Sequence, residues 1–122
     1  MGGAILAENS HVIILGCAQF MGNLATYRGG AIAATNSSTI IIDGSLCFNG
    51  FHPRTVLFGG NRVTNSSDPS LDVTSGCGGA VFTNNCDHVN MTNMSLTSNF
   101  APGVGGALHF NRSKVVVFKC NQ

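Results

Sequence analysis

The apolar residues of this chain come in short runs. Val12-Ile13-Ile14-Leu15, Thr39-Ile40-Ile41-Ile42, Val89-Asn90-Met91 and Val115-Val116-Val117-Phe118 are rich in β-branched side chains and bounded by Gly, Asn and Ser. β-Branched residues lose rotamer freedom in a helix and pack well on a pleated surface, so these runs predict strands separated by turns. The 3.6-residue periodicity of amphipathic helices is absent. No run approaches the ~18–20 apolar residues that would cross a bilayer.

The runs belong to a repeat. Gly-Gly-Ala followed by an aliphatic residue occurs at Gly2-Gly3-Ala4-Ile5, Gly29-Gly30-Ala31-Ile32, Gly78-Gly79-Ala80-Val81 and Gly105-Gly106-Ala107-Leu108, at intervals of 27, 49 and 27 residues. Superposing the copies aligns Asn9 with Asn36 and Asn85, and Ser10 with Ser37, Cys86 and Ser113, just ahead of each apolar run. A second landmark, Phe20-Met21-Gly22-Asn23, returns as Phe58-Gly59-Gly60-Asn61 and as Leu96-Thr97-Ser98-Asn99, with 38 residues between successive copies. The 49-residue interval therefore reads as a regular unit plus a degenerate one that has lost its Gly-Gly-Ala, or as one unit with a long excursion.

Units of 20–50 residues, each with about three short strands, mark a solenoid, and strands without helices make it an all-β one. The pattern predicts a right-handed parallel β-helix of four to five coils as a single segment, 1–122. Its repeats start near 2, 29, 78 and 105, with an irregular coil at about 51–77. Gly2, Gly3, Gly29, Gly30, Gly78, Gly79, Gly105 and Gly106 are the expected structural turns, where a missing side chain permits positive φ and close approach of the next coil. Asn9, Asn36 and Asn85 are expected to stack as an amide ladder. Solenoid ends need polar caps, and none is evident here, so the segment reads as a fragment of a longer array.

The pairing of GGA[ILV] with FxxN resembles the repeats of chlamydial polymorphic outer-membrane proteins, which also occur in long surface proteins of other organisms. GGAI, GGAI, GGAV and GGAL meet FMGN and FGGN here, and the resemblance covers nearly the whole chain outside about 65–75. It implies an exported β-helix at a cell surface, on the outer membrane in a bacterium, that serves adhesion to a protein or glycan. The membrane anchor and export signal would lie outside this segment, which is not expected to insert into a membrane.

Composition narrows the chemistry. Charged residues are 9 % of the chain, against about 25 % in ordinary soluble domains. The polar surface is made instead from 33 Asn, Ser and Thr residues. A net charge of +1 without a basic stripe argues against nucleic acid.

The competing function is a carbohydrate-active enzyme of pectin-lyase-like architecture, which needs carboxylates or bases grouped on neighbouring coils. The repeat offsets place Glu8 over Thr35 and Asn84, and Asp87 over His11, so no two carboxylates share a column. Asp68 and Asp72 fall in a turn-forming stretch. His11, His52, His88 and His109 read as dispersed, without the spacing of a zinc site. The Gly-Gly-Ala copies match neither a phosphate loop nor a GGxGxD calcium roll. The sequence thus predicts a non-enzymatic segment with no catalytic residue, cofactor or metal site.

Five cysteines, Cys17, Cys47, Cys77, Cys86 and Cys120, leave at least one without a partner inside the segment. Cys47 stands nearest to Cys17, and the pairing stays open. Cys86 takes the place of a corner serine and reads as a small buried side chain. Sequons at Asn36, Asn65, Asn90, Asn93 and Asn111 are candidate glycosylation sites in a eukaryotic secretory route, though corner repetition inflates their number.

Overall fold

Beside each Gly-Gly-Ala the backbone carries a second turn signal, an asparagine forced into the left-handed region. Asn9, Asn36 and Asn85 have φ of 54°, 52° and 55°, and Arg112 holds the equivalent place at 49°. Asn tolerates this conformation better than other side chains because its short amide can bond locally. Each of these residues ends one strand and redirects the chain into the next.

The computed structural model describes residues 3–16, 18–36, 39–44, 56–64, 77–103 and 105–120, the last six as backbone. Among the described residues the chain forms β1 (Ile5–Glu8), β2 (His11–Leu15), β3 (Gln19–Met21), β4 (Leu24–Ala25), β5 (Ile32–Thr35), β6 (Thr39–Asp43), β7 (Val56–Gly59), β8 (Arg62–Val63), β9 (Val81–Asn84), β10 (His88–Thr97), β11 (Leu108–Asn111) and β12 (Val115–Cys120). The fold is all-β, and every strand pairing is parallel. One sheet has the order β1-β5-β9-β11, a second β2-β6-β10-β7-β3 with β12 also on β10, and a third β4-β8. A parallel pair cannot be closed by a hairpin. Here the crossover from β1 to β5 is made by β2, β3 and β4, which lie in the other two sheets.

Of the irregular coil expected at about 51–77, only 56–64 and Cys77 lie within the described residues. β5 pairs directly with β9, Ile32 opposite Val81, and β6 pairs directly with β10, Ile40 opposite Val89, so no strand of a further unit lies between them. β7 completes the same unit, with Phe58 paired to Phe20 on one side and Leu96 on the other. The 49-residue interval is one unit, lengthened between Asp43 and Val56 and again between Val63 and Cys77.

Alternation in each strand sends one column of side chains inward. Val12, Ile40 and Val89 form one such column, and Ile14, Ile42 and Met91 the next. Phe20 and Phe58 stack at 4.9 Å with rings 8° apart, Phe58 being fully buried. Each fully buried side chain of this size contributes roughly 1.5–3 kcal/mol.

The second Gly of the motif is fixed by backbone proximity. A Cβ on Gly30 would take the place of the Gly79 carbonyl oxygen and lie 2.6 Å from the Arg62 nitrogen. Gly3 stands in the same relation to Gly30, and Gly79 to Gly106. The first Gly turns the chain, with φ of 55° at Gly29 and 66° at Gly78.

An amide ladder does run through the fold, built on the FxxN asparagines. Asn61 is 0 % exposed. Its Nδ2 donates to the Phe20 carbonyl at 2.8 Å and to Asn99 Oδ1 at 2.9 Å, while its Oδ1 accepts from Asn23 N at 3.0 Å and Asn23 Nδ2 at 2.9 Å. Two donors and two lone pairs are all used. Asn99 repeats the pattern, donating to the Phe58 carbonyl at 2.9 Å. The residue ahead of each Asn is left-handed, with φ of 64° at Gly22, 63° at Gly60 and 53° at Ser98.

Two stability measurements test these features. Gly30→Val is expected to lose at least ~3 kcal/mol in urea denaturation, whereas Gly22→Ala, whose Cβ meets nothing within 4 Å, loses only the ~1–2 kcal/mol of a left-handed L-residue. Asn61→Leu strands buried partners on both sides and is expected to lose roughly 3–5 kcal/mol. A loss below about 1 kcal/mol would contradict the buried ladder.

Candidate functional site

The outward columns of the sheet made by β2, β6 and β10 form the most distinctive surface. Register places His11, Thr39 and His88 in one row, Ile13, Ile41 and Asn90 in the next, and Leu15, Asp43 and Thr92 in the third. Neighbouring strands lie about 4.8 Å apart, so the side chains of one row are in contact range. Ile13 is 59 % exposed and Leu15 51 %. Thr39, Ile41, His88 and Asn90 line an open groove of about 270 Å³. Asp43 accepts from Asn93 Nδ2 at 3.2 Å at the far margin.

The groove offers an aliphatic floor, a hydroxyl, an amide and an imidazole. That set makes apolar contacts and hydrogen bonds to a ligand. Among the described residues no group of three or more His, Cys, Asp or Glu is arranged to hold a metal ion. Glu8 lies in the column of Thr35, Asn84 and Asn111, as the repeat offsets require for the first two. Asp68, Asp72 and His52 lie outside the described residues.

One column differs from expectation. His88, rather than Asp87, shares the row of His11, because the corner between β1 and β2 is one residue shorter than those between β5 and β6 and between β9 and β10. The histidines are therefore not all dispersed, since His11 and His88 flank Thr39. Two strand spacings, about 9.6 Å, separate their backbones, with Thr39 between them.

The remaining candidates fall as follows. Gly2 lies outside the described residues, and the other seven motif glycines occupy the turns. Of the Asn9, Asn36 and Asn85 column, one rung is formed, Asn85 Nδ2 donating to Asn36 Oδ1 at 2.8 Å, and this pair is exposed. At the following unit the rung moves one residue back, from Asn111 Nδ2 to Asn84 Oδ1 at 2.8 Å. The buried ladder is instead that of Asn23, Asn61 and Asn99, whose recurrence 38 residues apart is its signal in the sequence. Among the sequon residues, Asn93 and Asn111 spend an amide hydrogen on Asp43 and Asn84, Asn36 is exposed, and Asn90 faces the groove. Asn65 lies outside the described residues. Cys86 is a buried free thiol 3.7 Å from the Ala34 carbonyl, while Cys17, Cys47 and the side chain of Cys120 fall outside the described part of the chain.

A second outward cluster covers the sheet of β1, β5, β9 and β11. Phe82 and His109 stack at 5.6 Å with planes 2° apart, and the Arg28 guanidinium lies 5.2 Å from the Phe82 ring. Arg62 covers Phe100 in the same way at 5.0 Å. Burial holds the His109 pKa below the ordinary imidazole value of 6.5 by penalising the charged ring.

No protein-family model matches the sequence, and neither a curated protein nor a solved structure matches it.

Because the folded chain resists protonating His109, the unfolded chain takes up the proton first on acidification. Stability from this residue is full above pH 6.5 and is expected to fall as pH drops through the lowered folded value. Urea midpoints at neutral and acid pH, compared between the natural chain and His109→Leu, check this. The variant should lose less stability on acidification.

Proposed function

We propose that this chain is a stretch of right-handed parallel β-helix whose work is structural and adhesive, holding a rigid binding face outside a cell. The observation that carries this is the in-register stacking of like units, which aligns Ile13, Ile41 and Asn90 into one continuous outward row. Each circuit through the three sheets returns the chain to the strand beside its starting point, and in this architecture a surface is lengthened simply by adding units. Strands anchored by a filled core present side chains at fixed spacing, which suits recognition of an extended partner such as a glycan or a protein strand.

The resemblance to polymorphic outer-membrane protein repeats supports the cell-surface setting. The scarcity of charge, with uncharged Asn, Ser and Thr forming the polar surface, fits a face that binds through hydrogen bonds and apolar contact. The carboxylates Glu8 and Asp43 stand in columns of different sheets and Asp87 lies in the corner before β10, which favours binding over hydrolysis.

The test uses the chain immobilised against glycan arrays and whole cells. Ile13→Asp with Ile41→Asp is expected to lower binding at least about tenfold, a loss of ~1.4 kcal/mol, while the melting temperature stays within a few degrees. Binding unchanged by the pair, or release of reducing or unsaturated sugar ends from polysaccharide, would sink the proposal.

A further inference from the structure

One rim of the outward face on β2, β6 and β10 gathers positive charge from residues far apart in the sequence. His11, Thr39 and His88 each stand immediately before the first inward residue of their strands, Val12, Ile40 and Val89, and register aligns them. Lys114 takes the same place before Val115, which pairs with Val89 on the other side of β10. Two bonds fix the Lys114 backbone there: Val89 N donates to its carbonyl at 2.8 Å, and its own N–H donates to the Cys86 carbonyl at 3.2 Å. The row therefore reads His11, Thr39, His88, Lys114 and spans about 14 Å at the usual strand spacing. His11, His88 and Lys114 are exposed, and strand alternation keeps this row on the outside however many units are stacked.

Among the described residues the charged neighbours of the row are four. Arg112 is exposed in the left-handed corner two residues before Lys114. Asp87 is exposed in the corner before His88, and Glu8 ends β1 ahead of His11. Asp43 lies two rows away, where it accepts from Asn93. Two cations and two imidazoles thus share a rim on which Asp87 is the nearest carboxylate to His88.

Beside this rim lies the row of Ile13, Ile41 and Asn90, about 7 Å further along the strands. The face presents N–H donors on one side, aliphatic surface next to them and an amide at the end. β6 is paired on both sides, by β2 and β10, and β10 by β6 and β12. A protein strand therefore cannot add to this face through its main chain, and a peptide laid over the side chains would leave its own N–H and C=O groups poorly satisfied. A sugar chain carries no such backbone. Its hydroxyls suit Thr39 and Asn90, and its C–H faces suit Ile13 and Ile41.

The geometry points to an acidic glycan as the occupant of this face, its carboxylates held by Lys114, His88 and His11 and its ring faces resting on Ile13 and Ile41. The inference rests on the binding face proposed above and narrows its partner to a sugar chain bearing uronates. Imidazoles gain their charge between about pH 8 and pH 5, where sugar carboxylates stay ionised, so binding tightens on acidification.

The experiment is calorimetric titration of the full chain with a short oligouronate, its carboxyl-reduced neutral counterpart and poly-glutamate, at about pH 8 and about pH 5.5. At the lower pH the oligouronate is expected to bind at least about fivefold tighter than at the higher, and at least about fivefold tighter than the reduced form. Lys114→Gln is expected to weaken it about threefold, and His11→Gln with His88→Gln to remove most of the pH dependence, both variants melting as the natural chain does. A reduced form or poly-glutamate that binds as tightly, or a pH dependence that survives the histidine pair, overturns the inference. So does an oligouronate that does not bind. Binding to cells or arrays that still depends on Ile13 and Ile41 would then leave the proposed function standing, and its absence would remove both.

Discussion

The rest of the structure depends on one close approach, that of the Gly30 backbone to the Gly79 carbonyl and its equivalents at Gly3 and Gly79. Adjacent parallel strands must lie about 4.8 Å apart, and at a corner, where the chain turns between sheets, a side chain would hold them further away. Glycine there carries an entropic penalty of about 0.5–1 kcal/mol each relative to alanine. A Cβ against a carbonyl oxygen costs several times that, so glycine wins. Once the corner is seated, register is no longer free. Ile32 must meet Val81, the phenylalanines must stack, and Asn61 must fall between Asn23 and Asn99.

The ladder shows how a nearly uncharged chain builds specificity into an apolar interior. A buried carboxamide left unpaired would destabilise the fold, and Asn61 avoids this only when the units on both sides sit at the correct height and register. The inward aliphatic columns would tolerate sliding by an even number of residues far better than the amide would. The apolar columns therefore supply most of the stabilisation, and the ladder supplies the alignment. Two of the few cations, Arg28 and Arg62, stand over the rings of Phe82 and Phe100, within cation–π range.

Much of this is legible in the residues themselves. The glycine corners, the strand runs and the parallel stacking follow from Gly-Gly-Ala and its intervals, because the chemistry of close approach is written in single residues. The 49-residue interval is harder. Phe58 lies midway between Phe20 and Leu96 both when a degenerate unit intervenes and when one unit is lengthened twice, and only the pairing of β5 with β9 separates the cases. Spacing points to an amide ladder at the Asn9, Asn36 and Asn85 corner as readily as at Asn23, Asn61 and Asn99, since both asparagine columns recur; what distinguishes them is burial, which spacing does not encode. The groove is hidden for a related reason. In Val12-Ile13-Ile14-Leu15 both faces of the strand are apolar, so no alternation reveals that Ile13 and Leu15 point outward. The single residue missing from the first corner is enough to exchange Asp87 for His88 in the row of His11.

The lengthened second unit has a consequence for how such a chain can change over generations. Both additions enter at connections, and the strands on either side keep their partners, β6 with β2 and β10, β7 with β3 and β10. Closing a longer loop adds only about 0.6 kcal/mol for each doubling of its length, so a scaffold locked elsewhere bears such additions easily. Each corner of this fold is thus a port at which new sequence can be grafted without renegotiating the interior, and novelty can accumulate at the rim while the frame stays as it was.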